Sequence, residues 1–270
     1  MKKEGYWIIR TYQSGRIGEK IKYWVPGARP TKSKRKMRSD IRKQKQNEVD
    51  ATRRLARVIN CNFKGGDLWD ALTYDPENYN RLMERIPDHL DGEQARDFLY
   101  ALADHELENY IRRCRRACKK AGLDFKFIAI TSDMNGETQE PVRIHHHIIT
   151  TREAAEVCRS QWQNGGIEKD YVWDETDHYG LAKYVMDQVR RIPDAKKYRR
   201  SRNLLTPDPK DRLAKTGKEV QPPKDAEIIY RAAYTPGRPQ YVRYILPEKK
   251  EKTGGPDCRP ENTGGEECQT

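Results

Sequence analysis

A chain of 270 residues can hold one large domain or two small ones. Hydrophobic and charged residues each make up 35% of it, so we expect one compact domain with basic and disordered appendages outside the core. Lysine and arginine total 53 against 41 acidic residues, a formal net charge of +12, which favours an anionic polymer, foremost nucleic acid, over a neutral small molecule as partner.

The apolar and cysteine patterns indicate a cytoplasmic protein without membrane contact. No run of about 18 apolar residues occurs, and the first residues lack the features of a signal peptide. The six cysteines form no CxxC pair, which predicts free thiols. Cys114 and Cys118, one helical turn apart, could share a metal, but their apolar neighbours favour a packing role.

The first 60 residues predict a hairpin followed by a basic helical arm. Two strands flank the turn Ser14-Gly15-Arg16. Nine basic residues and one acidic residue lie between Arg29 and Lys45, and helical spacing then continues to about residue 60. The basic run is either a solvated charged segment or a contact to the DNA backbone, in which case the binding residues are Lys34, Arg35, Lys36 and Arg38.

Residues 61–205 read as an α+β domain, an antiparallel sheet with helices packed on it. A strand from Leu68 to Tyr74 ends in a proline-containing turn, and Asp91 with Gln94 predicts a capping box for a helix over 92–121. Strands over 125–132 and 142–151, a short helix over 153–162, a strand over 167–174 and a helix over 179–192 follow.

The remaining chain predicts basic and extended segments. A proline-punctuated arm after residue 191 carries three candidate DNA-binding residues, Arg199, Arg200 and Arg202. Residues 206–247 are expected to form a linker and a second hairpin, and residues 248–270 a disordered tail.

The strand VRIHHHIITT holds three consecutive histidines. Because successive side chains of a strand point to opposite faces, His146 shares the aliphatic, core-facing side, while His145 and His147 lie together on the opposite surface beside Arg143. Two imidazoles two residues apart can bind one cation. Asp133, at the end of the neighbouring strand, is our first choice for a third ligand and Glu137 our second, and Glu140 is also available.

A metal beside an arginine on a basic protein suits a phosphate oxygen. The helix HYGLAKYVMDQVRRI offers a nucleophile, since Tyr184 lies at the edge of its apolar stripe, although most tyrosines in that position only cover core.

Three segments occur in the order LTYD (72–75), RIHHHIIT (143–150) and YGLAKYVMDQVRR (179–191). Over about residues 68 to 205 the chain resembles the HUH endonucleases, in particular the rolling-circle replication initiators of plasmids, phages and integrated elements. The resemblance implies an RRM-like fold, Mg or Mn bound by His145 and His147, and attack of Tyr184 on a phosphate to give a 5′-phosphotyrosine and a free 3′-OH.

This resemblance also implies single-stranded or hairpin origin DNA as substrate and a host helicase and polymerase as partners. The chain departs from the family where His146 replaces a bulky hydrophobe and where no lysine follows one turn after Tyr184, so Lys183 or Arg191 would have to substitute. Tyr179 lies about 140° from Tyr184 around the helix, which disfavours a two-tyrosine mechanism.

Two other functions remain open from the sequence. One is a relaxase or single-tyrosine transposase with the same chemistry. The other is a non-catalytic DNA-binding regulator whose histidines hold a structural metal. If the chain acts on single-stranded DNA, Trp69 and Tyr74 could stack on bases, although burial of Trp69 is at least as reasonable.

Overall fold

The computed structural model describes residues 5–26, 41–136, 138, 140–173, 176–188, 197–214, 219–232 and 238–248, with side chains from residue 46 onward in the first helix. Within these ranges, no helix is both long enough and apolar enough to cross a membrane. The α+β class is confirmed, with two antiparallel sheets of five strands each.

The sheet that carries the histidines, here called the central sheet, has the strand order β6-β3-β5-β4-β7. Its strands are β3 (Leu68–Leu72), β4 (Phe127–Met134), β5 (Pro141–Thr150), β6 (Ile167–Glu168) and β7 (Arg199–Arg200). The predicted strand over 167–174 is therefore short, and beyond it only an isolated bridge joins Tyr171 to Leu68.

Helices cover both faces of the central sheet. On one face lie α2 (Pro76–Met83), α3 (Gly92–Lys120) and α4 (Ala155–Arg159), which bury Ile144 and Ile148 of β5. On the other lie α1 (Ile41–Asn62) and α5 (Tyr179–Gln188), which pack on Trp69, Ile128 and Ile149. The second face of β5 is thus buried at His147 and Ile149, where the predicted surface is absent, while Arg143 is exposed and His145 is half-buried.

The second sheet joins the two ends of the described chain. Its order is β8-β1-β2-β10-β9, with β1 (Tyr6–Ser14), β2 (Ile17–Val25), β8 (Lys210–Ala214), β9 (Glu227–Arg231) and β10 (Gln240–Ile245). Both predicted hairpins are present. Their pairing through β2 and β10, and the strand β8 inside the expected linker, were not predicted.

A buried ion pair links this second sheet to α1. Arg57 donates two hydrogen bonds, of 2.9 and 2.7 Å, to the carboxylate of Glu19 on β2. The hydroxyl of Tyr241 on β10 donates a third bond to the same carboxylate at 2.9 Å. Because both charges are buried, removal of either partner would leave an uncompensated charge.

Two local predictions differ from the structure. The segment after β3 is a helix, because Asp75 accepts a hydrogen bond from the backbone N–H of Asn78 and Pro76 occupies the first helical position. Asp91 does precede α3 as its N-cap, but its side chain makes no capping hydrogen bond, so the predicted capping box is absent.

The cysteines Cys114, Cys118 and Cys158 are free and buried against α3 and α4. They pack in the first core cluster, which agrees with the apolar role expected for Cys114 and Cys118.

Candidate active site

His145 and His147 share one face of β5, as the two-residue period of a strand requires. In the register of the central sheet they lie opposite Ser132 and Ile130 of β4. Their Nε2 atoms are 3.1 Å apart, with the ring planes 84° to each other. Two ring nitrogens therefore converge on one point.

Hydrogen bonding assigns the tautomer of His145. Its Nδ1 lies 3.0 Å from the carbonyl oxygen of Arg143, which can only accept, so Nδ1 carries the proton and Nε2 presents a lone pair. His147 is only 8% exposed. Burial, with a smaller contribution from His145, lowers the pKa of His147 to about 3, so this ring is neutral at physiological pH and able to bind a cation.

His146 points to the other face and completes a chain of hydrogen bonds in the core. The hydroxyl of Thr131 donates to the carboxylate of Asp104, so it must accept from Nδ1–H of His146 at 3.0 Å. Nε2 of His146 then accepts from the hydroxyl of Tyr74 at 2.7 Å. Burial lowers the pKa of His146 to about 3, in agreement with the expected neutral core imidazole.

Tyr184 of α5 lies over the same face of the sheet as His145 and His147. Its ring centroid is 6.4 Å from that of His147 and 6.2 Å from that of Trp69. The tyrosine is 37% exposed. Gly136, in the turn after β4, lies so close that a Cβ there would fall 2.5–2.8 Å from the outer ring atoms and hydroxyl of Tyr184.

The start of α5 is held by residues from two other parts of the chain, α1 and β10. The side chain of Asn60, near the end of α1, accepts from the backbone N–H of His178 at 2.9 Å. Asp177 accepts from the N–H of Tyr179 at 3.3 Å and pairs with Arg243 of β10 at 3.2 Å. The position of Tyr184 thus depends on α1 and on the second sheet, neither of which its local sequence indicates.

His145, His147 and Tyr184 line one cleft of about 430 Å³, here called the histidine cleft. Stacking fixes one wall of it, since the rings of Trp69 and His147 are parallel within 5° at 4.8 Å. Trp69 and Tyr74 are buried at 8% and 5% exposure, and Tyr74 is hydrogen-bonded in the core. The suggestion that these two aromatics stack on bases is therefore not supported.

Asp133 does not lie with the two histidines. Its carboxylate accepts from Nε of Arg96 on α3 at 2.6 Å. The hydroxyl of its neighbour Ser132 instead donates to the backbone carbonyl of Gln188 on α5 at 3.0 Å, so the two side chains point to opposite faces of β4. This alternation rejects our first choice for a third ligand, while the second choice, Glu137, lies outside the described residues.

Two residues that the sequence analysis missed line the histidine cleft, Glu168 and Gln188. Glu168 pairs with Ala71, and Ala71 pairs with His147, so the three share one face in a row across β6, β3 and β5. Only strand register reveals this row, because Glu168 is far from the histidines in the chain.

The side-chain amide of Gln188 is buried near His147 without a regular hydrogen bond to a described residue. Its side chain is close enough to raise the pKa of His147 against the effect of burial. Yet neither the amide atoms of Gln188 nor Nδ1 of His147 makes a hydrogen bond of regular geometry with any described atom. A buried polar group of this kind is costly unless a further ligand satisfies it.

The candidates near Tyr184 differ in their contacts. Lys183 is paired with Asp187 at 2.6 Å, which raises the pKa of the lysine, and it does not line the histidine cleft. Arg191 lies outside the described residues. Arg143 lines the cleft, and its guanidinium is 4.4 Å from the ring centroid of Tyr79.

The predicted DNA-binding residues also differ in their surroundings. Arg199 pairs with Asp104 and Glu108 of α3, so its charge is used within the protein and the DNA contact expected of it is not supported. Arg200 and Arg202 are exposed. The four remaining candidates lie outside the part of the chain that is described: Lys34, Arg35, Lys36 and Arg38.

The two imidazoles fit a divalent cation in donor chemistry and spacing. Their Nε2 atoms are at hydrogen-bond distance, 3.1 Å, and since Nε2 of His145 presents a lone pair, His147 donates its Nε2 proton across that gap. With the proton of His147 on Nδ1 instead, metal–nitrogen bonds of about 2.0–2.1 Å would allow one ion to contact both rings. Among the residues that the structure describes, no group of three or more His, Cys, Asp or Glu side chains could hold a metal ion. The fit therefore rests on the two histidines, with Glu168 and Gln188 in the same cleft.

Comparison with known proteins returned no match among family models, curated proteins or solved structures.

Proposed function

We propose that this chain is a metal-dependent nickase and strand transferase for single-stranded DNA that initiates rolling-circle replication. In this proposal Tyr184 is the nucleophile, and His145 and His147 bind Mg or Mn. The observation that supports it best is the meeting of a phenol that is 37% exposed and two converging imidazoles in one cleft. The formal net charge of +12 suits a polyanionic substrate.

The proposed reaction conserves the energy of one phosphodiester bond. The phenol oxygen of Tyr184 forms a bond to phosphorus while the bond from phosphorus to the 3′ oxygen breaks. The phenol loses its proton, and the released 3′ oxygen takes one up as a 3′-OH. Attack by a 3′-OH on the phosphotyrosine reverses these changes and rejoins a strand. A bound cation supplies Lewis acidity and neutralises charge on the phosphate oxygens.

The protein residues prepare this site in three ways. Trp69 stacks on His147 and fixes its ring plane, while the carbonyl of Arg143 fixes the tautomer of His145. Burial keeps His147 neutral, so a cation need not displace a proton from it. The guanidinium of Arg143, at the edge of the cleft, can contact a phosphate oxygen.

A covalent-adduct assay tests the proposal. The substrates are end-labelled single strands tiled across the DNA that flanks the coding sequence, incubated with the protein and Mn. We expect one strand to give a labelled adduct that survives denaturing electrophoresis, and Tyr184→Phe to abolish it. The matched control is Tyr179→Phe on the same helix, whose ring packs against Arg243 outside the cleft and whose loss should leave the adduct.

A second pair of variants addresses the cation. His145→Ala and His147→Ala should lower the rate of adduct formation at least 100-fold, and added EDTA should do the same to the unchanged protein. Strand binding without any adduct would instead support a DNA-binding regulator with a structural metal. An adduct that persists in Tyr184→Phe would show that another nucleophile acts.

A further inference from the structure

A second cavity adjoins the histidine cleft on the other side of Tyr184. It measures about 500 Å³, and we call it the aromatic cavity. Its walls include Trp69, Tyr171, Trp173, Leu181 and Tyr184. Tyr184, together with Gly136, lines both spaces, so the phenol stands between the two.

The aromatic cavity is exposed where a ligand would enter. Trp173 is 72% exposed and Tyr171 is 52% exposed, the former being the largest exposed fraction of any tryptophan in the described chain. Exposing such large apolar rings beside a cleft costs solvation free energy, and large exposed aromatics at a concave site are typical of a binding surface.

The chemistry of the lining selects a base over a phosphate. No lysine or arginine is among the described residues that line the cavity, while Asp170 is. A carboxylate repels a phosphate but accepts hydrogen bonds from the exocyclic amino group of a base. Aromatic side chains stack on bases whatever their sequence, with about 1–3 kcal/mol per base.

We propose that the aromatic cavity binds the nucleobase adjoining the phosphate that Tyr184 attacks, with Trp173 and Tyr171 as its stacking platform. This inference rests on the proposed function, because it places the scissile phosphate in the histidine cleft and the neighbouring nucleotide across the phenol. The base then anchors the strand, so that the phosphate is held at the nucleophile.

The first test measures binding without cleavage. Tryptophan fluorescence is recorded while a short single-stranded oligonucleotide of mixed sequence is added to the Tyr184→Phe protein. We expect strong quenching that is mostly lost in Trp173→Phe and retained in Trp24→Phe, which removes a tryptophan of 47% exposure on the second sheet. Equal quenching in the unchanged and Trp173→Phe backgrounds would overturn the inference, whether or not the protein cleaves DNA.

The second test uses the strand that forms the adduct. An abasic site is placed in turn at each nucleotide beside the cleaved phosphate, and affinity is measured for the Tyr184→Phe protein with and without Trp173→Ala. An abasic site at one position should weaken binding about 10-fold or more, and Trp173→Ala should weaken binding of the intact strand by the same factor. Trp173→Ala should not weaken binding of that abasic strand any further, because the stacked base is already missing.

The outcomes separate the two proposals. The nickase is supported and the base-binding cavity is overturned if an adduct forms but Trp173→Ala weakens binding of every abasic strand by the same factor as binding of the intact strand. Quenching through Trp173 without any adduct supports base binding in the aromatic cavity and overturns the nickase, and with it the place of that base beside a cleaved phosphate. Since Trp173 is highly exposed, its replacement should leave the unfolding temperature unchanged, which circular dichroism checks.

Discussion

The chain of hydrogen bonds through His146 makes the sharpest prediction about stability. Tyr74→Phe removes the hydroxyl that donates to Nε2 of His146 at 2.7 Å and leaves the ring itself in place. Both residues are buried, at 5% and 0% exposure, so water cannot replace the lost donor. An unsatisfied buried acceptor costs about 1–3 kcal/mol. With a urea m-value of about 2–3 kcal/mol per molar, the unfolding midpoint should fall by about 0.3–1.5 M.

The assay is urea denaturation at pH 7 followed by circular dichroism. The matched control is Tyr79→Phe, since Tyr79 is only partly buried and lies under Arg143, a contact that a phenylalanine ring retains. The double variant Tyr74→Phe/His146→Leu should be more stable than the sum of its single changes predicts, by about 1–2 kcal/mol, because Thr131 still donates to Asp104. A loss in Tyr74→Phe no larger than in Tyr79→Phe would refute the argument.

Three further predictions follow from buried groups and close contacts. The stabilising contribution of neutral His146 should be fully present above pH 6.5 and fall as the pH approaches 3, because this histidine binds a proton in the unfolded chain but stays neutral in the folded core, where its pKa is about 3. The unfolding free energy, measured by denaturant titration at each pH in this range, should therefore change by about 1.4 kcal/mol per pH unit less in His146→Leu. Arg57→Met should cost about 3–5 kcal/mol by leaving the carboxylate of Glu19 buried and unpaired, and a calorimetric loss below 1 kcal/mol would contradict this. Gly136→Val should displace the phenol of Tyr184 and slow adduct formation about 10-fold or more, and an unchanged rate would show that the turn moves to accommodate the new side chain.

Local periodicity predicted the parts of the site that depend on one strand or one helix. Because a strand alternates its faces, the sequence alone separated His146 from His145 and His147 and assigned it to the core. The edge position of Tyr184 followed in the same way from helical spacing, and its exposure agrees with it.

Contacts between distant segments could not be predicted in this way. Asp133 lies inside β4, and the alternation of that strand directs its carboxylate to Arg96 on the face away from His145 and His147; only the pairing of Ser132 with His145 shows which face that is. Glu168 reaches the histidine cleft through strand register, and Arg199 is neutralised by acidic residues of α3. Each of these depends on how elements far apart in sequence align.

By itself, therefore, the sequence determined the α+β class, the strand that carries the histidines and the faces on which their rings emerge. The tertiary structure decided that α1 and α5 cover the face of His147, that the first and last described strands share one sheet, and that Tyr184 stands between two cavities. The physical reason is range. Side-chain directions repeat every two residues in a strand and every 3.6 residues in a helix, so they can be predicted from neighbouring residues. Helix packing and strand register depend instead on burial and charge pairing between residues far apart in the chain.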